Sequence, residues 1–366
     1  MRFSRLRVEG FRNLQPDELT FHPGINWIYG DNGQGKTNFL EALSYVVSGR
    51  SFRRSRDEEL PAFGQDHFFL QLHLEEDNGE VFSLTSSWSR TEGRRLRNNE
   101  QTIKNLSDLV SLVGTVIFGP DDVELVKGEP EHRRRYLDFT LSKTDPAYLR
   151  DLMAYRRVLR QRNQLLKVRG SEEEISIWTE KLVEHGSRIL ARRKSHLPAL
   201  AEILSRSYRE IDGNSPTIQL SYRSETEGLG EQELADSMRT RLAELRSSET
   251  LQRRTLAGPH RDDMLIDING RNARKYASQG QKRSVAISLK LAQAEFLARL
   301  REDRPIVFLD DVFSELDPGR RERLCRLVGR QYQTFLATPR ADSVPLELFP
   351  SLKRFSIQEG RLSQET

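Results

Sequence analysis

A glycine-rich segment near the start of the chain has the composition of a phosphate-binding loop. Residues 30–37 read Gly-Asp-Asn-Gly-Gln-Gly-Lys-Thr and match the pattern G-x-x-x-x-G-K-[ST]. Glycines allow backbone N–H groups to wrap a phosphate, and the N-terminus of a following helix adds a favourable dipole. Lys36 adds a positive charge, and the Thr37 hydroxyl is a ligand for Mg²⁺. The segment therefore predicts a site for a phosphate ligand and its metal ion.

Two adjacent carboxylates late in the chain have the position that such a site requires. The apolar run Ile306–Leu309 ends directly at Asp310 and Asp311. A P-loop needs an acidic partner for its metal, normally at the end of another parallel strand. We expect Asp310 to bind Mg²⁺ directly or through water, and Asp311 to orient or deprotonate an attacking water molecule. Lys36, Asp310 and Asp311 are therefore predicted catalytic residues.

Two further segments resemble motifs of the ABC-type ATPases. The signature-like residues are Ser278, Gln279, Gly280 and Gln281, and the D-loop-like residues are Ser314, Glu315, Leu316 and Asp317. In that class the signature serine of one subunit covers the γ-phosphate held by the P-loop of another, because a hydroxyl and a helix N-terminus satisfy phosphate oxygens. The resemblance implies that ATP is the ligand, that Ser278 acts catalytically in trans, and that ATP brings two copies together.

These motifs need strands and helices that bring them to one place. The residues of Gly24–Tyr29 form a buried-strand pattern that leads into the glycine-rich loop, and residues 38–43 have helical spacing. The runs Phe68–Leu74 and Val81–Trp88 combine apolar and polar residues on either side of Asp77-Asn78-Gly79. This turn sequence predicts an antiparallel hairpin.

The middle of the chain has a different character from its ends. Helical patterns dominate residues 121–248, whereas apolar strands are expected at Pro305–Leu309 and Thr334–Ala337, with a charged helix at about 320–330 between them. We predict an α/β fold, an ABC-type P-loop ATPase head with a mixed sheet, an antiparallel subdomain and an inserted helical lobe. The predicted domains are an N-terminal part of the ATPase lobe at 1–120, a helical lobe or short arm at 121–248, and a C-terminal part of the ATPase lobe at 249–366.

Composition narrows the class of protein further. The 366 residues carry 58 Lys and Arg against 54 Asp and Glu, so polyanion binding must come from local patches. No apolar run approaches the roughly 18 residues of a membrane span, the mean hydropathy is −0.65, and no signal peptide is visible. Cys325 is the single cysteine, which excludes an internal disulfide framework. We therefore expect a soluble cytoplasmic protein without a membrane partner.

Along most of its length the chain resembles the RecF family, bacterial recombination-repair ATPases related to SMC proteins. The GPHRDD stretch, the SQGQ signature and the DDVFSELD stretch together are specific to that family. The matching segments are 10–14, the P-loop, 118–122, Gly128 to Arg134, Leu137-Asp138, Tyr155 to Lys167, 258–263, the Ser278 signature and 309–317.

Several residue roles follow only from this resemblance. It implies that Arg12 lies near the nucleotide and Asn32 near its γ-phosphate. The position where transporter ATPases have a switch histidine is Thr338, and the residue after the metal carboxylate is Asp311 instead of Glu. A shorter, weaker base and no histidine suggest slow hydrolysis, which suits a timed clamp. The ATP-binding residues are expected to be Arg12, Gly30, Asp31, Asn32, Gly33, Gln34, Gly35, Lys36, Thr37 and Asn38.

Basic clusters in the helical block suggest DNA binding. Lys and Arg along a groove neutralise phosphates without reading bases, which gives salt-dependent and sequence-independent affinity; for any one cluster a solvated helix face is an equal alternative. The candidate DNA contacts are Arg156, Arg157, Arg160, Arg192, Arg193 and Lys194.

The resemblance implies a DNA-binding ATPase of recombinational repair and replication-fork recovery. It would bind single-stranded DNA and duplex at gap junctions, dimerise on ATP, and reset by slow hydrolysis of ATP with Mg²⁺. The implied partners are RecO and RecR, which it helps to load RecA, and the implied location is the nucleoid. The alternative is an ATPase subunit of another ABC-type assembly, either a transporter or an SMC-like bridging complex. The inserted block and the missing switch histidine argue against a transporter, and residues 121–248 provide only a stubby arm.

Overall fold

The chain divides into two units, one of which is built from both ends of the sequence. The computed structural model describes residues 1–213, 217–228, 230–301, 303–341, 348–349 and 351–365, and for residues 107, 315 and 330 the backbone only. The first unit comprises Met1–Asp122 and Gln293–Thr366, and the second comprises Val123–Ala292. Because the second unit interrupts the first in sequence, residues of the first unit that are hundreds of positions apart fold together.

The secondary-structure elements are as follows. The strands are β1 Arg2–Glu9, β2 Asp17–Thr20, β3 Ile25–Tyr29, β4 His67–Glu75, β5 Val81–Ser89, β6 Gly93–Asn98, β7 Gln101–Thr102, β8 Thr115–Phe118, β9 Ile218–Arg223, β10 Asp263–Ile268, β11 Arg271–Asn272, β12 Ile306–Asp310, β13 Thr334–Thr338, β14 Leu352–Gln358 and β15 Arg361–Glu365. The helices are α1 Lys36–Ser48, α2 Leu106–Leu112, α3 Glu124–Lys127, α4 Pro130–Thr144, α5 Pro146–Val168, α6 Glu172–Asp212, α7 Glu231–Glu244, α8 Arg246–Gln252, α9 Ala273–Tyr276, α10 Gln279–Arg301 and α11 Pro318–Gln331.

A mixed sheet of order β15-β14-β3-β13-β12-β8 lies at the centre of the first unit. The strands β8, β12, β13, β3 and β14 run parallel, and β15 pairs antiparallel to β14 at the edge. Strands β3, β12 and β13 end at Tyr29, Asp310 and Thr338, and in register Tyr29 is the partner of Thr338. The carboxyl ends of parallel strands form the edge where α/β sheets bind ligands.

The second sheet of this unit is antiparallel, in the order β2-β1-β4-β5-β6-β7. Its β4–β5 hairpin turns at Asn78 and Gly79, and Gly79 has a φ of 88°, a conformation that favours glycine. The predicted hairpin is therefore confirmed.

Helix α1 lies in the main core of the first unit and contacts both sheets. Its residues Phe39, Leu40, Leu43 and Val46 are fully buried, and apolar residues surround the helix on most sides. Most of the stability of a helix in a protein comes from such tertiary packing. Because the two sheets enclose α1, the start of this helix has a fixed position at the edge of the central sheet.

The second unit is mainly helical. The 41-residue helix α6 packs against α5 and α7, and α5 also contacts α4. A small sheet of order β11-β10-β9 completes the unit. The sequence analysis did not predict β9, which pairs with β10 over the full length of both strands. The pairing joins Asp263–Ile268 to the second unit, which includes residues 249–292. The sequence analysis assigns residues 249–292 to the ATPase lobe, and that domain division stays a prediction.

No helix in the described part of the chain is long and apolar enough to cross a membrane.

Candidate functional site: a phosphate-binding edge of the central sheet

The glycine-rich loop joins β3 to α1 and is shaped by glycines with positive φ. Gly33 has a φ of 83° and Gly35 a φ of 116°. The φ of Gly35 favours glycine, and a Cβ atom there would lie 2.8 Å from Oδ1 of Asn13 and displace that side chain. Gly35 is the N-cap of α1 and provides no side-chain cap. The first N–H groups of a helix have no intrahelical acceptor, so this end of α1 is suited to an anion.

The amino group of Lys36 is held by the loop itself. Its Nζ donates hydrogen bonds of 2.6 Å to the carbonyl oxygen of Gly30 and 2.8 Å to that of Asp31. Burial lowers the pKa of Lys36, while the carboxylates of Asp311, Asp310 and Asp31 act in the opposite direction. The predicted lysine therefore lies among backbone oxygens and carboxylates at the end of the sheet, where an added phosphate would offset its desolvation.

The Thr37 hydroxyl and the first carboxylate of the pair are in direct contact. Thr37 Oγ1 donates a hydrogen bond of 3.0 Å to Oδ1 of Asp310. Burial raises the pKa of Asp310, and the hydrogen bond from Thr37 opposes that shift. A hydroxyl beside a carboxylate is a pair of hard oxygen ligands, the type that Mg²⁺ prefers. The structure therefore brings together the two residues that the sequence predicts for the metal.

Asp311 has an unusual backbone and an unsatisfied side chain. Its φ is 49°, in the left-handed region, and its N–H donates to the carbonyl oxygen of Ala337 on β13. Its Oδ1 is buried and has no hydrogen-bond partner within the described residues. Such an atom costs free energy unless a ligand or water satisfies it, and strained backbone is found preferentially at functional sites.

The D-loop segment starts from this strained residue. Ser314 Oγ donates to the carbonyl oxygen of Asp311 at 2.9 Å, and Asp317 caps α11 by accepting from the N–H of Arg320. Leu316 is buried, and the side chain of Glu315 lies outside the described residues.

Arg12 forms a network of its own beside the loop. Its Nε and Nη2 donate to the two oxygens of Glu41 at 3.0 and 2.9 Å, and Glu41 is fully buried on α1. Nη1 donates to the carbonyl oxygen of Glu59, and Nη2 also donates to Ser55. Arg12 is therefore a structural link between the β1–β2 connection and α1 in this structure, and its predicted contact with a nucleotide stays a prediction.

Asn13, which the sequence analysis did not select, contacts the P-loop directly. Its Nδ2 donates to the carbonyl oxygen of Gln34, and its Oδ1 accepts from Asn38 at 2.8 Å. Gln34 in turn contacts the β14–β15 turn, where its Oε1 accepts from the N–H of Glu359 and its carbonyl oxygen accepts from Gly360. The loop is thus braced from two sides. Asn13 follows an arginine in a short polar connection, but no spacing rule singles it out.

Arg53, one of four arginines in a basic cluster at 50–56, is a second residue that the sequence analysis did not assign to the nucleotide site. Its Nη1 donates to Oδ1 of Asn38 at 2.9 Å and lies 3.6 Å from the Glu41 carboxylate. Its positive charge also lowers the pKa of Asp310, although burial raises that pKa more strongly. A cation therefore flanks the first turn of α1.

A polar cavity of about 820 Å³ opens beside the first half of the loop. Its walls come from the P-loop, the end of β13 and the β14–β15 hairpin. The lining residues include Tyr29, Asp31, Gln34, Arg340, Gln358 and Arg361.

Thr338, the predicted switch position, is fully engaged in the fold. Its Oγ1 accepts a hydrogen bond of 2.8 Å from Nε1 of Trp27 and donates one of 3.0 Å to the carbonyl oxygen of Arg340. Both Thr338 and Trp27 are completely buried. The hydroxyl fixes β3 to β13 just before the P-loop, and a switch role for it stays a prediction.

The signature segment belongs to the second unit and forms a helix cap. Ser278 Oγ accepts from the N–H of Gln281, and Oε1 of Gln281 accepts from the N–H of Ser278. This reciprocal cap holds the N-terminus of α10 in shape. Ser278 and Gln279 are exposed.

The predicted DNA contacts differ strongly in accessibility. Arg193 is 2% exposed and donates to Asp138, Tyr148, Tyr222 and the carbonyl oxygen of Pro259. The guanidinium of Arg193 is therefore the centre of a buried network and is not accessible in this structure, and its predicted contact with DNA stays a prediction.

The other α6 candidates are also committed to internal contacts. Arg192 pairs with Asp145 and Asp151, and Lys194 donates to the carbonyl oxygens of Thr226 and Gly228. On α5, Arg156 pairs with Asp138. Arg157 and Arg160 are exposed, and neither has an ion-pair partner within the described residues.

Comparisons with known proteins identify the family. The model of the RecF/RecN/SMC N terminal domain matches residues 2–345. The chain is 36% identical over 365 residues to the DNA replication and repair protein RecF of Geotalea daltonii, covering 99% of this chain and 100% of that one. This chain belongs to the RecF family. A RecF family member of Symbiobacterium thermophilum is 38% identical over 368 residues, which cover 98% of this chain and 97% of the relative. The predicted resemblance to the RecF family is confirmed.

Solved structures of the RecF family have the same fold. The recombination mediator protein RecF–ATPrS of the RecFOR pathway matches with a TM-score of 0.92 and 32% identity, over 100% of this chain and 98% of that one. The RecF–ATP structure of the same pathway matches with a TM-score of 0.90. An Smc head domain matches at a TM-score of 0.60 and 14% identity, a likeness of fold alone. The predicted fold, an ABC-type ATPase head, is confirmed.

Proposed function

We propose that this protein is an ATP-dependent DNA-binding ATPase of recombinational repair and replication-fork recovery. The observation that carries the proposal is the hydrogen bond between Thr37 and Asp310. Lys36 lies beside this pair, and the following residue, Asp311, has a carboxylate oxygen without a hydrogen-bond partner in the described part of the chain. This arrangement fits a triphosphate and its metal ion. The names of the RecF relatives, DNA replication and repair proteins, support the biological role.

ATP would be held mainly by the loop and the first turn of α1. The backbone N–H groups between Gly33 and Thr37 would bind phosphate oxygens, and Lys36 would exchange its carbonyl partners for phosphate. Bound Mg²⁺ would neutralise charge on the phosphates, with Thr37 and Asp310 as its protein ligands. The similarity to the RecF–ATP and RecF–ATPrS structures supports ATP as the ligand.

Asp311 is the residue proposed to assist hydrolysis. It would orient a water molecule against the γ-phosphate and accept a proton from it. Aspartate is one methylene shorter than glutamate, and the hydroxyl of Thr338 is already engaged with Trp27 and Arg340. Both features support weak hydrolysis that serves as a conformational switch.

The signature segment supports an ATP-dependent homodimer. Ser278 and Gln279 are exposed at the N-terminus of the 23-residue helix α10, which is suited to an anion contributed by another copy. We propose that Ser278 to Gln281 of one protomer cover the γ-phosphate bound by the other. The segment of Ser314 to Asp317 would lie at the same interface.

The proposed substrates and partners extend the role for which the relatives are named. The protein would bind single-stranded DNA and duplex next to a single-stranded gap, work with RecO and RecR, and assist them in loading RecA. The similarity to recombination mediator structures of the RecFOR pathway supports these partners. We further propose that it acts in the cytoplasm, in association with the nucleoid.

Light-scattering mass and fluorescence anisotropy in the same samples test the proposal. Wild type is measured with and without ATP–Mg²⁺ and with a labelled gapped duplex, beside Lys36→Ala, Asp311→Asn and Ser278→Arg. We expect wild type to double its mass with ATP and to bind DNA more tightly, and Asp311→Asn to remain trapped in that state. Lys36→Ala should lose ATP binding, and Ser278→Arg should bind ATP but remain a monomer. A wild-type mass that never responds to ATP would overturn the proposed dimer.

A further inference from the structure

The outward face of helix α5 carries a stripe of cations without any acidic residue. Placed on a helix of 3.6 residues per turn, Arg150, Arg157, Arg160 and Lys167 fall on one side, and all four are exposed. The helix contains a single acid, Asp151, which is buried on the opposite side. We call these four residues the α5 stripe.

The cations of the α5 stripe differ from three arginines of the adjacent helix α6, which are paired with carboxylates. Within the described residues, no member of the stripe forms an ion pair. On α6, Arg188 and Arg192 pair with Asp151, and Arg193 pairs with Asp138. Exposed cations without an internal partner are available to an external anion, because binding breaks no existing pair.

Three inward contacts at a spacing of seven residues hold the stripe in place. Tyr148 donates to Asp138 at 2.6 Å, Tyr155 is hydrogen-bonded to His260 at 2.6 Å, and Arg162 donates to Glu249 at 2.6 Å. All three side chains are buried. Because the inward face is fixed by polar contacts as well as apolar packing, the four cations are presented on a rigid support, which reduces the entropy lost on binding.

We propose that the α5 stripe binds the phosphate backbone of DNA, and that the paired arginines Arg188, Arg192 and Arg193 of α6 do not. The stripe spans about 25 Å from Arg150 to Lys167, or roughly seven base-pair steps of duplex. A surface of Arg and Lys with no aromatic residue among them neutralises phosphates and does not read bases. This inference rests on the proposed function, since it assigns the DNA surface of the same protein.

The test compares two double substitutions that remove the same charge from the same unit. Arg157→Ala/Arg160→Ala removes half of the stripe. The matched control, Arg239→Ala/Arg241→Ala, removes two α7 arginines that already pair with Glu180, Asp236, Glu225 and Glu244. Affinity for a fluorescein-labelled 30-base-pair duplex and for a 30-nucleotide single strand is measured between about 50 and 200 mM salt, with and without ATP–Mg²⁺.

We expect the stripe variant to bind duplex at least about tenfold more weakly at low salt. The slope of the logarithm of the association constant against the logarithm of the salt concentration should become less steep by about two for duplex and by somewhat less for single strands. Each lost phosphate contact changes that slope by about 0.9 for duplex and about 0.7 for single strands. The control should retain wild-type affinity and slope. Unchanged thermal stability and unchanged binding of a fluorescent ATP analogue would show that the stripe variant is folded.

Two outcomes would overturn the inference. One is a stripe variant that binds DNA like the control, which would show that the stripe does not bind DNA and would favour an acidic protein surface as its partner. The other is a loss of affinity with an unchanged salt slope, which would mean that the arginines do not contact phosphates. Failure of the proposed function looks different: wild-type DNA affinity would then be independent of ATP, whatever the stripe variant does.

Discussion

The hydroxyl of Thr37 donates a 3.0 Å hydrogen bond to Oδ1 of Asp310, which joins two motifs that lie 273 residues apart in the sequence. Asp310 is 8% exposed, and burial raises its pKa. A buried carboxylate is costly unless it is hydrogen-bonded or bound to a cation. The edge of the central sheet therefore holds a carboxylate that Thr37 stabilises only in part and that a divalent cation would stabilise further.

Replacing Thr37 by valine should weaken the binding of the metal ion without weakening the contacts of the loop with phosphate. Valine preserves the shape of threonine but removes the hydroxyl, so Asp310 loses its partner and the cation loses a ligand. We expect ATP affinity to fall about tenfold or more in the presence of Mg²⁺ and to change little in EDTA. Titration of a fluorescent ATP analogue under both conditions measures this. Thr37→Ser, which keeps a hydroxyl, is the control, and equal loss in EDTA would contradict the assignment.

The contact of Asn13 with the P-loop gives a second prediction. Asn13→Ala removes hydrogen bonds to Gln34 and Asn38 and leaves space against Gly35. At about 0.5–1.5 kcal/mol per hydrogen bond, the two lost bonds correspond to about 1–3 kcal/mol, so we expect ATP affinity to fall about fivefold to 150-fold. The change in Tm should be small because the side chain of Asn13 is exposed. Asn105→Ala is the control, since the Asn105 side chain bonds to nearby Asp108 and to no other residue in the described part of the chain. Wild-type ATP affinity in Asn13→Ala would show that the brace is unimportant.

Much of this site was predictable because its motifs carry local backbone signals. The glycines at 30, 33 and 35 and the carboxylates after an apolar run indicate a strand, a loop and a helix, and parallel strands bring their ends together. The Thr37–Asp310 contact follows from that topology. The hairpin at Asn78 and Gly79 was predictable for the same reason, since a turn of this type needs these residues.

The contacts that sequence reasoning missed depend on long-range packing. Arg193 has the pattern of a surface cation in a cluster of three, yet Asp138, Tyr148 and Tyr222 surround it. A single sequence does not reveal that one carboxylate and two phenols, from three other elements, meet at one arginine. Strand β9 was missed because it is short and half exposed, and because its partner strand β10 lies about 45 residues further along the chain.

The buried hydroxyl of Thr338 makes a prediction that separates a structural role from a switch role. In Thr338→Val the indole N–H of Trp27 would be left buried without an acceptor, which costs about 1–3 kcal/mol. We expect a lower midpoint of urea unfolding, while the ATP turnover per folded molecule stays near the wild-type value. Thr338→Ser should restore stability. If Thr338→Val keeps its stability but loses turnover, the residue acts in the reaction instead.

His260 makes the second unit sensitive to acid. Burial lowers its pKa from 6.5 to about 4, while it is hydrogen-bonded to Tyr155 and Thr255. Between those pH values the unfolded chain binds a proton that the folded chain does not, so stability falls as pH falls. We expect His260 to contribute about 2–3 kcal/mol to the loss between pH 7 and 4, since one pK unit corresponds to about 1.4 kcal/mol.

Unfolding by urea at several pH values measures the acid effect. His260→Asn should be less stable than wild type at pH 7, because the substitution removes a part-buried ring and its packing contacts. Its stability should decline less steeply towards pH 4. His67→Asn, which removes an exposed imidazole, is the control and should follow the wild-type curve. Parallel curves for His260→Asn and wild type would contradict the assignment.

The ion pair of Arg162 and Glu249 is buried, so removing one of the two charges should lower the free energy of unfolding strongly. Replacing both residues by apolar ones should change that free energy little. Both side chains are almost inaccessible, at 1% and 0%, and Thr255 and Thr179 accept the remaining guanidinium donors. Arg162→Met should destabilise the protein by about 3–5 kcal/mol because it leaves an uncompensated carboxylate. Arg162→Met/Glu249→Leu should recover most of that loss. Urea unfolding of wild type, both single variants and the double variant gives the coupling free energy, and additive single effects would show that the two charges do not interact.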